Sequence, residues 1–424
     1  MKHISILAFT LLIAISTSAQ FGNNFKNSTL RLDYVHAGTH DTQTCFFEGF
    51  RIEPFWGGTQ TNLIDTLKYG NYFFEVKDFL TEKIIYSRGY SSLFGEWQTT
   101  LESKEIQRSF YESIVMPLPK NKAVITIYWR NKKGLMDEMF TATYNPDDYF
   151  VTTELRKPYP SFDVFIGNKD VAKAVDIVIL PEGYTEEEMG KFISDCKAFS
   201  ESLFSFQPYG DRKSSFNIRG ILAPSAEHGC DIPADSIYVN TIMNATFYTF
   251  DSERYCMTTD HYSVRDLAAN APYDQIYILI NTKKYGGGAI YNFYSSSVTG
   301  NGAAAKIIVH EFGHAFAGLA DEYYDSSTSY NDFYPLDVEP WEPNITTLVH
   351  FEKKWKNLMS PNTPIPTEDI RENENVLGVY EGGGYSAKGI YRPKRDCLMN
   401  TFAGDQFCPA CYRAINTMID FYSK

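Results

Sequence analysis

The chain is poor in histidine, with 8 among 424 residues, and has no excess of basic charge. Beyond its first residues it also lacks any apolar run of the roughly 20 residues that a bilayer requires. Each shortage excludes something. With 39 Lys and Arg against 52 Asp and Glu, the net charge of −13 has the wrong sign for affinity gained by neutralising phosphates, so nucleic acid is not an expected partner. No Gly-x-Ser-x-Gly elbow occurs, which argues against a serine hydrolase. Gly286-Gly287-Gly288 and Gly382-Gly383-Gly384 match neither the P-loop nor the dinucleotide fingerprint and read as flexible rims of a cleft. No repeat of about 20–50 residues is present, which sets repeat architectures aside.

What is present is material for packed cores: 43% of residues are hydrophobic and 16% aromatic, which is incompatible with a disordered chain. The length exceeds the roughly 250–300 residues of a single core and predicts two domains. Residues 1–19 read as a secretory signal, with Lys2 as the positive flank, Ile4 to Ile15 as the apolar stretch and Thr17-Ser18-Ala19 before the cut. The apolar stretch is too short for a membrane anchor, and no Cys follows the cut to carry a lipid. The expected product is a secreted or periplasmic protein without a stable membrane anchor.

Two patterns divide the remainder. Residues 20–158 carry short alternating segments such as Tyr72–Val76 and Ala123–Trp129, the pattern of an all-β, sandwich-like domain. Lys157-Pro158-Tyr159-Pro160 reads as a stiff connector. Across residues 159–424 strands alternate with helices. Val175–Leu180, Phe216–Leu222 and Gln275–Asn281 are apolar strands, Thr185-Glu186-Glu187-Glu188 opens a helix, and a further helix lies around Ser263 to Asn270. The expected fold is α+β, with helices packed on a mixed sheet. In an oxidising compartment the seven cysteines favour disulfides, Cys230 with Cys256 and Cys397 with Cys408 or Cys411. The Cys408-Pro409-Ala410-Cys411 spacing also suits half a zinc knuckle, to which only Cys397 lies close.

The chemistry is concentrated at His310-Glu311-Phe312-Gly313-His314, in a run of helix formers with an apolar face at Ile308, Phe312, Ala315 and Leu319. Four residues make about one helical turn, so both imidazoles face one ion, and Glu311 stands beside them as a general base. One Zn²⁺ is the expected cofactor. Zinc needs a third protein ligand and leaves the fourth position to water. On a continuous helix Asp321 would lie roughly 10 Å beyond His314. The helix must therefore break. Gly318 can adopt positive φ and turn the chain back, which makes Asp321 the expected third ligand and Glu322 the alternative.

The third histidine of the metzincin pattern is missing, with Ala320 in its place. With Gly318 and Asp321-Glu322-Tyr323 following the His-Glu-x-x-His motif, the chain resembles the IgA peptidase family of secreted zinc metallopeptidases. Ile179–Thr185, Phe216–Arg219, Tyr391-Arg392-Pro393 and Cys397–Asn400 extend the resemblance over roughly Ser161 to Lys424. The β-rich part is similar to the family's amino-terminal domain. The resemblance implies a zincin-like catalytic domain and an endopeptidase, with Met399 as the counterpart of a Met-turn below the metal. Tyr385 and Tyr391 both precede this turn as possible phenol donors to the oxyanion, and Tyr391, next to Arg392-Pro393, is the expected one. The segment containing Ala289, Tyr291 and Phe293 is read as an exposed edge strand that pairs with an extended protein or glycoprotein substrate. The competing reading is a secreted adhesion or glycan-binding protein built on a zincin scaffold.

Overall fold

A computed structural model describes residues 20–153, 157–324 and 334–424. The expected signal segment, residues 1–19, lies outside the described residues. Among the described residues no helix is long and apolar enough to cross a membrane.

The fold is mixed α+β. In the first part, strands β1 (Phe25–Gly38), β2 (Gln43–Glu53) and β5 (Arg108–Pro119) form one antiparallel sheet in the order β2-β1-β5. Strands β3 (Tyr72–Asp78), β4 (Ile84–Tyr90), β6 (Ala123–Arg130) and β7 (Met136–Tyr144) form a second, in the order β4-β3-β6-β7. Both contribute to one core: Leu32 and Tyr34 of β1 and Ile114 of β5 meet Phe74 and Val76 of β3 and Ile125 and Ile127 of β6. Strand β1 is buried on its other face as well, where alternation places Arg31 and Asp33. Arg31 pairs with Asp33 and Asp266, each at 2.8 Å, so the face looking into the second part of the chain is ionic rather than apolar.

That second part is built on a six-stranded sheet in the order β12-β13-β11-β9-β10-β8. Its strands are β8 (Ser161–Ile166), β9 (Val175–Glu182), β10 (Phe216–Ile221), β11 (Gln275–Ile280), β12 (Gly287–Ala289) and β13 (Tyr294–Val298). The four central strands are parallel, and β12 and β8 are antiparallel edges. Strand β9 is buried throughout, as expected of a parallel strand covered on both faces. Val175, Ile177 and Ile179 face one core, shared with helices α2 (Met189–Ser205), α4 (Ala304–Ala317) and α5 (Pro409–Ser423). Val178 and Leu180 face the other, against α3 (His261–Ala268). The short helix α1 (Leu93–Trp97) belongs to the first part of the sequence, yet its Leu93, Phe94 and Trp97 complete this second core.

The expected helix at Thr185 begins as a single 3₁₀ turn over Glu186–Glu188, with Glu188 accepting from the Thr185 N–H at 3.1 Å, and becomes α-helical only from Met189. Correction is also needed for the cysteines. None of the seven is in a disulfide, Cys230 and Cys256 included. Cys397 and Cys411 have their sulfurs 3.9 Å apart, beyond the roughly 2.05 Å of a bond, and the Glu322 carboxyl shares their pocket.

Candidate metal centre and active-site cleft

Helix α4 presents its apolar face, with Ile308, Phe312 and Phe316, to the core and carries His310, Glu311 and His314 at its margin. It ends at Gly318, whose φ of 63° is left-handed and whose N–H bonds the His314 carbonyl at 3.0 Å. Space also selects glycine here, since a Cβ would come within 2.7 Å of the Trp341 ring. The reversal has two results. It aims the Leu319 carbonyl at His314 Nδ1, 2.5 Å away, and it returns Asp321 to the histidines.

His310 Nε2 and His314 Nε2 are 3.0 Å apart, and Asp321 Oδ1 lies 3.1 and 3.4 Å from them. Tetrahedral zinc with ligands at about 2.0–2.1 Å requires ligand atoms about 3.3 Å apart, so the three atoms outline one face of such a site. The ring orientations agree with that use. His310 Nδ1 donates to the Leu398 carbonyl at 3.0 Å and His314 Nδ1 to that of Leu319, which leaves both Nε2 lone pairs for an ion. Asp321 Oδ1 is buried with no hydrogen-bond donor, whereas Oδ2 accepts from the Tyr385 hydroxyl. Burial alone would raise the Asp321 carboxyl, but the imidazoles hold it well below the usual range. The same pairing overcomes burial at His314 and raises it to about 9. Without a cation the cluster therefore retains a proton that a metal ion must displace.

Glu311 is half-buried in a cleft of about 880 Å³ lined from both parts of the chain, including Ser92, Glu96, Arg254, Tyr323 and Tyr385. Burial pushes the Glu311 carboxyl up, and the nearby imidazoles only partly oppose it. Glu96 reaches the cleft from α1 and accepts from the Tyr255 hydroxyl. Burial pushes it up to about 7. Arg254 donates to the Tyr323 hydroxyl at 3.1 Å. Met399 lies beneath α4: a Cβ on Gly313 would sit 3.1 Å from its Sδ, between the two histidine positions.

Other sequence expectations move. Tyr391 is not part of the cleft lining. It lies in the strand Ser386–Arg392, is bonded through its backbone to Thr346 and packs against the large core beside α5. Tyr385 precedes that strand with a left-handed φ of 64°, which brings its phenol into the cleft instead. The edge strand is Gly287–Ala289 rather than a longer one through Phe293. Asn292 takes a φ of 56° and turns the chain, so Phe293 enters the core against His261. Ala289 and Tyr291 line the cleft, with the Tyr291 ring packed on Trp341. The outer edge is partly occupied already. Gly287 bonds Arg254 O at 3.1 Å and Cys256 N–H at 3.2 Å, leaving Ala289 as the position with the same outward orientation.

Glu322 points away from the imidazoles and accepts from Asn344 at 3.0 Å. The sequence signals missed Glu96 and Arg254 as cleft residues, and of the two candidate phenols the cleft takes Tyr385 rather than Tyr391. Ser92 does mark a helix start, since its hydroxyl accepts from the Gly95 N–H, but nothing local says that Glu96 will face a histidine more than two hundred residues away.

A family model described as IgA Peptidase M64 matches residues 166–376 and 368–419, and one described as Peptidase M64 N-terminus matches residues 20–141. No curated protein matches the chain. On these matches, the chain belongs to the IgA peptidase M64 family and is a metallopeptidase.

Proposed function

We propose that the protein is a secreted zinc endopeptidase that hydrolyses peptide bonds of proteins or glycoproteins, with Glu311 as general base. The observation that carries this reading is the convergence of His310 Nε2, His314 Nε2 and Asp321 Oδ1 beside a carboxylate in an open cleft. In this reading residues 20–158 form a sandwich-like domain and residues 159–424 a zincin-like catalytic domain. The leader of residues 1–19 directs export, with cleavage near Ala19.

His310, His314 and Asp321 would hold the ion. When bound, zinc supplies Lewis acidity, lowering the pKa of water toward about 7 and polarising the scissile carbonyl. Glu311 takes the proton of the attacking water on its carboxylate and delivers it to the leaving amine. Its environment suits the task, because a raised carboxyl is a better base than an ordinary one. Arg254 and Tyr323, hydrogen-bonded to one another, are cleft donors suited to an oxygen that gains negative charge. Tyr385 orients Asp321, and Ala289 offers an outward peptide group for an extended substrate.

The test compares wild type and Glu311→Gln against IgA, mucin and casein, with zinc content measured alongside. Equal zinc content and cleavage by wild type alone are expected. Cleavage at the wild-type rate by Glu311→Gln would remove the general base from the proposal. Zinc in both proteins with no cleavage by either would favour the adhesion or glycan-binding reading.

A further inference from the structure

A second donor cluster lies immediately behind the first. Glu322 follows Asp321 but turns into a sealed pocket with Cys397, Cys408 and Cys411, and all four residues are buried. Cys411 Sγ lies 3.1 Å and Cys408 Sγ 3.9 Å from Glu322 Oε1, and Cys397 Sγ lies 3.9 Å from Cys411 Sγ. For tetrahedral zinc, bonds of about 2.3 Å to sulfur and 2.0 Å to oxygen place neighbouring sulfurs about 3.8 Å apart and sulfur about 3.5 Å from oxygen. The two sulfur–oxygen separations bracket the second value, and the sulfur–sulfur separation of 3.9 Å lies close to the first. A disulfide between any two of the cysteines would leave the third thiol and the Glu322 carboxyl buried together in the same pocket.

Two further observations point to a cation. Glu322 Oε2 is buried and has no hydrogen-bond partner, an arrangement that a carboxylate in a pocket of thiols cannot sustain cheaply. The sulfurs, in contrast, receive backbone donors suited to thiolates: Cys408 N–H reaches Cys397 Sγ at 3.2 Å and Cys411 N–H reaches Cys408 Sγ at 3.5 Å. The Cys408-Pro409-Ala410-Cys411 spacing brings two sulfurs together at the start of α5.

We propose that Glu322, Cys397, Cys408 and Cys411 form a second, closed zinc site with a structural role. Four protein ligands and no route to solvent distinguish it from a catalytic position. It fastens two pieces of the cleft from behind. The Glu322 N–H bonds the Met399 carbonyl at 2.7 Å, and the adjacent Leu398 carbonyl is the one that orients His310. An ion held by Glu322 and Cys397 therefore fixes the segment bearing Asp321 to the turn supporting His310. The site does not depend on what the cleft cuts.

The test uses full-length protein: wild type, the cysteine variant Cys397→Ser/Cys411→Ser and the histidine variant His310→Ala/His314→Ala. Zinc per chain is measured by mass spectrometry after exchange into metal-free buffer. Wild type is expected to carry about two zinc ions and each variant about one. If the cysteine variant does not fold, the cobalt-loaded histidine variant decides: an intense near-ultraviolet thiolate-to-cobalt band supports the site, and its absence overturns it. A disulfide among these cysteines in unreduced wild type, or undiminished zinc in the folded cysteine variant, would also overturn it. A cysteine variant that loses zinc beside a histidine variant that keeps all of it would support the thiol site and count against the cleft centre.

Discussion

Asp321 and Glu322 are neighbouring carboxylates with opposite surroundings. Asp321 joins two imidazoles at the wall of an open cleft, whereas Glu322 joins three thiols behind that wall. Three donors beside open space can hold an ion and still admit a reactant, whereas four donors in a sealed pocket can only hold one. One peptide bond thus separates a place for chemistry from a place for stiffness. A shift by one residue would exchange an acceptor suited to nitrogen-rich company for one lodged among sulfurs.

The largest expected effect tests whether reaction belongs to the cleft alone. Glu311→Gln should lower turnover by about 10²–10⁴-fold with zinc content unchanged, as read by peptide cleavage and metal analysis. Smaller is the effect of Tyr385→Phe, which removes the hydroxyl that Asp321 Oδ2 accepts from. It should weaken zinc at the cleft about 10–100-fold by competition with a chelator while leaving the thiolate-to-cobalt band intact.

Acidity should separate the clusters next. His314 is raised to about 9 without a cation, so below that pH it is protonated and metal must displace the proton. Affinity at the cleft should therefore rise with pH, by about tenfold per unit between pH 6 and 8 for this one proton. A flat profile would show that His314 is already neutral. The thiol cluster should climb more steeply, since several thiol protons leave on binding. The smallest change concerns support under the helix. Gly313→Ala would set a methyl 3.1 Å from Met399 Sδ and should cost about 1 kcal/mol net, overpacking being partly offset by helix propensity, as read by thermal melting.

Features determined within a few residues were legible in the sequence. The spacing of His310 and His314 follows from helix geometry, whereas the break at Gly318 and the return of Asp321 rather than Glu322 rest on zinc's need for a third ligand. Strand β9 was legible because burial on both faces leaves a continuous apolar run. Tyr385 and Tyr391 could not be told apart, because their difference is a left-handed backbone at one and regular strand pairing at the other. The cysteines suggested disulfides because nothing local shows that Glu322 will enter their pocket. The polar face of β1 was equally hidden, since Arg31 reads as solvent-facing until Asp266 arrives from a distant helix.

Helix α5 and the Cys408 that caps it supply two sulfurs to the pocket behind the cleft, and its Tyr422 accepts from Arg88 of β4 at 2.7 Å. A growing polypeptide on the ribosome thus has the histidine motif exposed long before the elements that brace it exist. A chain truncated before Cys408 should therefore be inert toward casein, and digestion by it would show that the brace is dispensable.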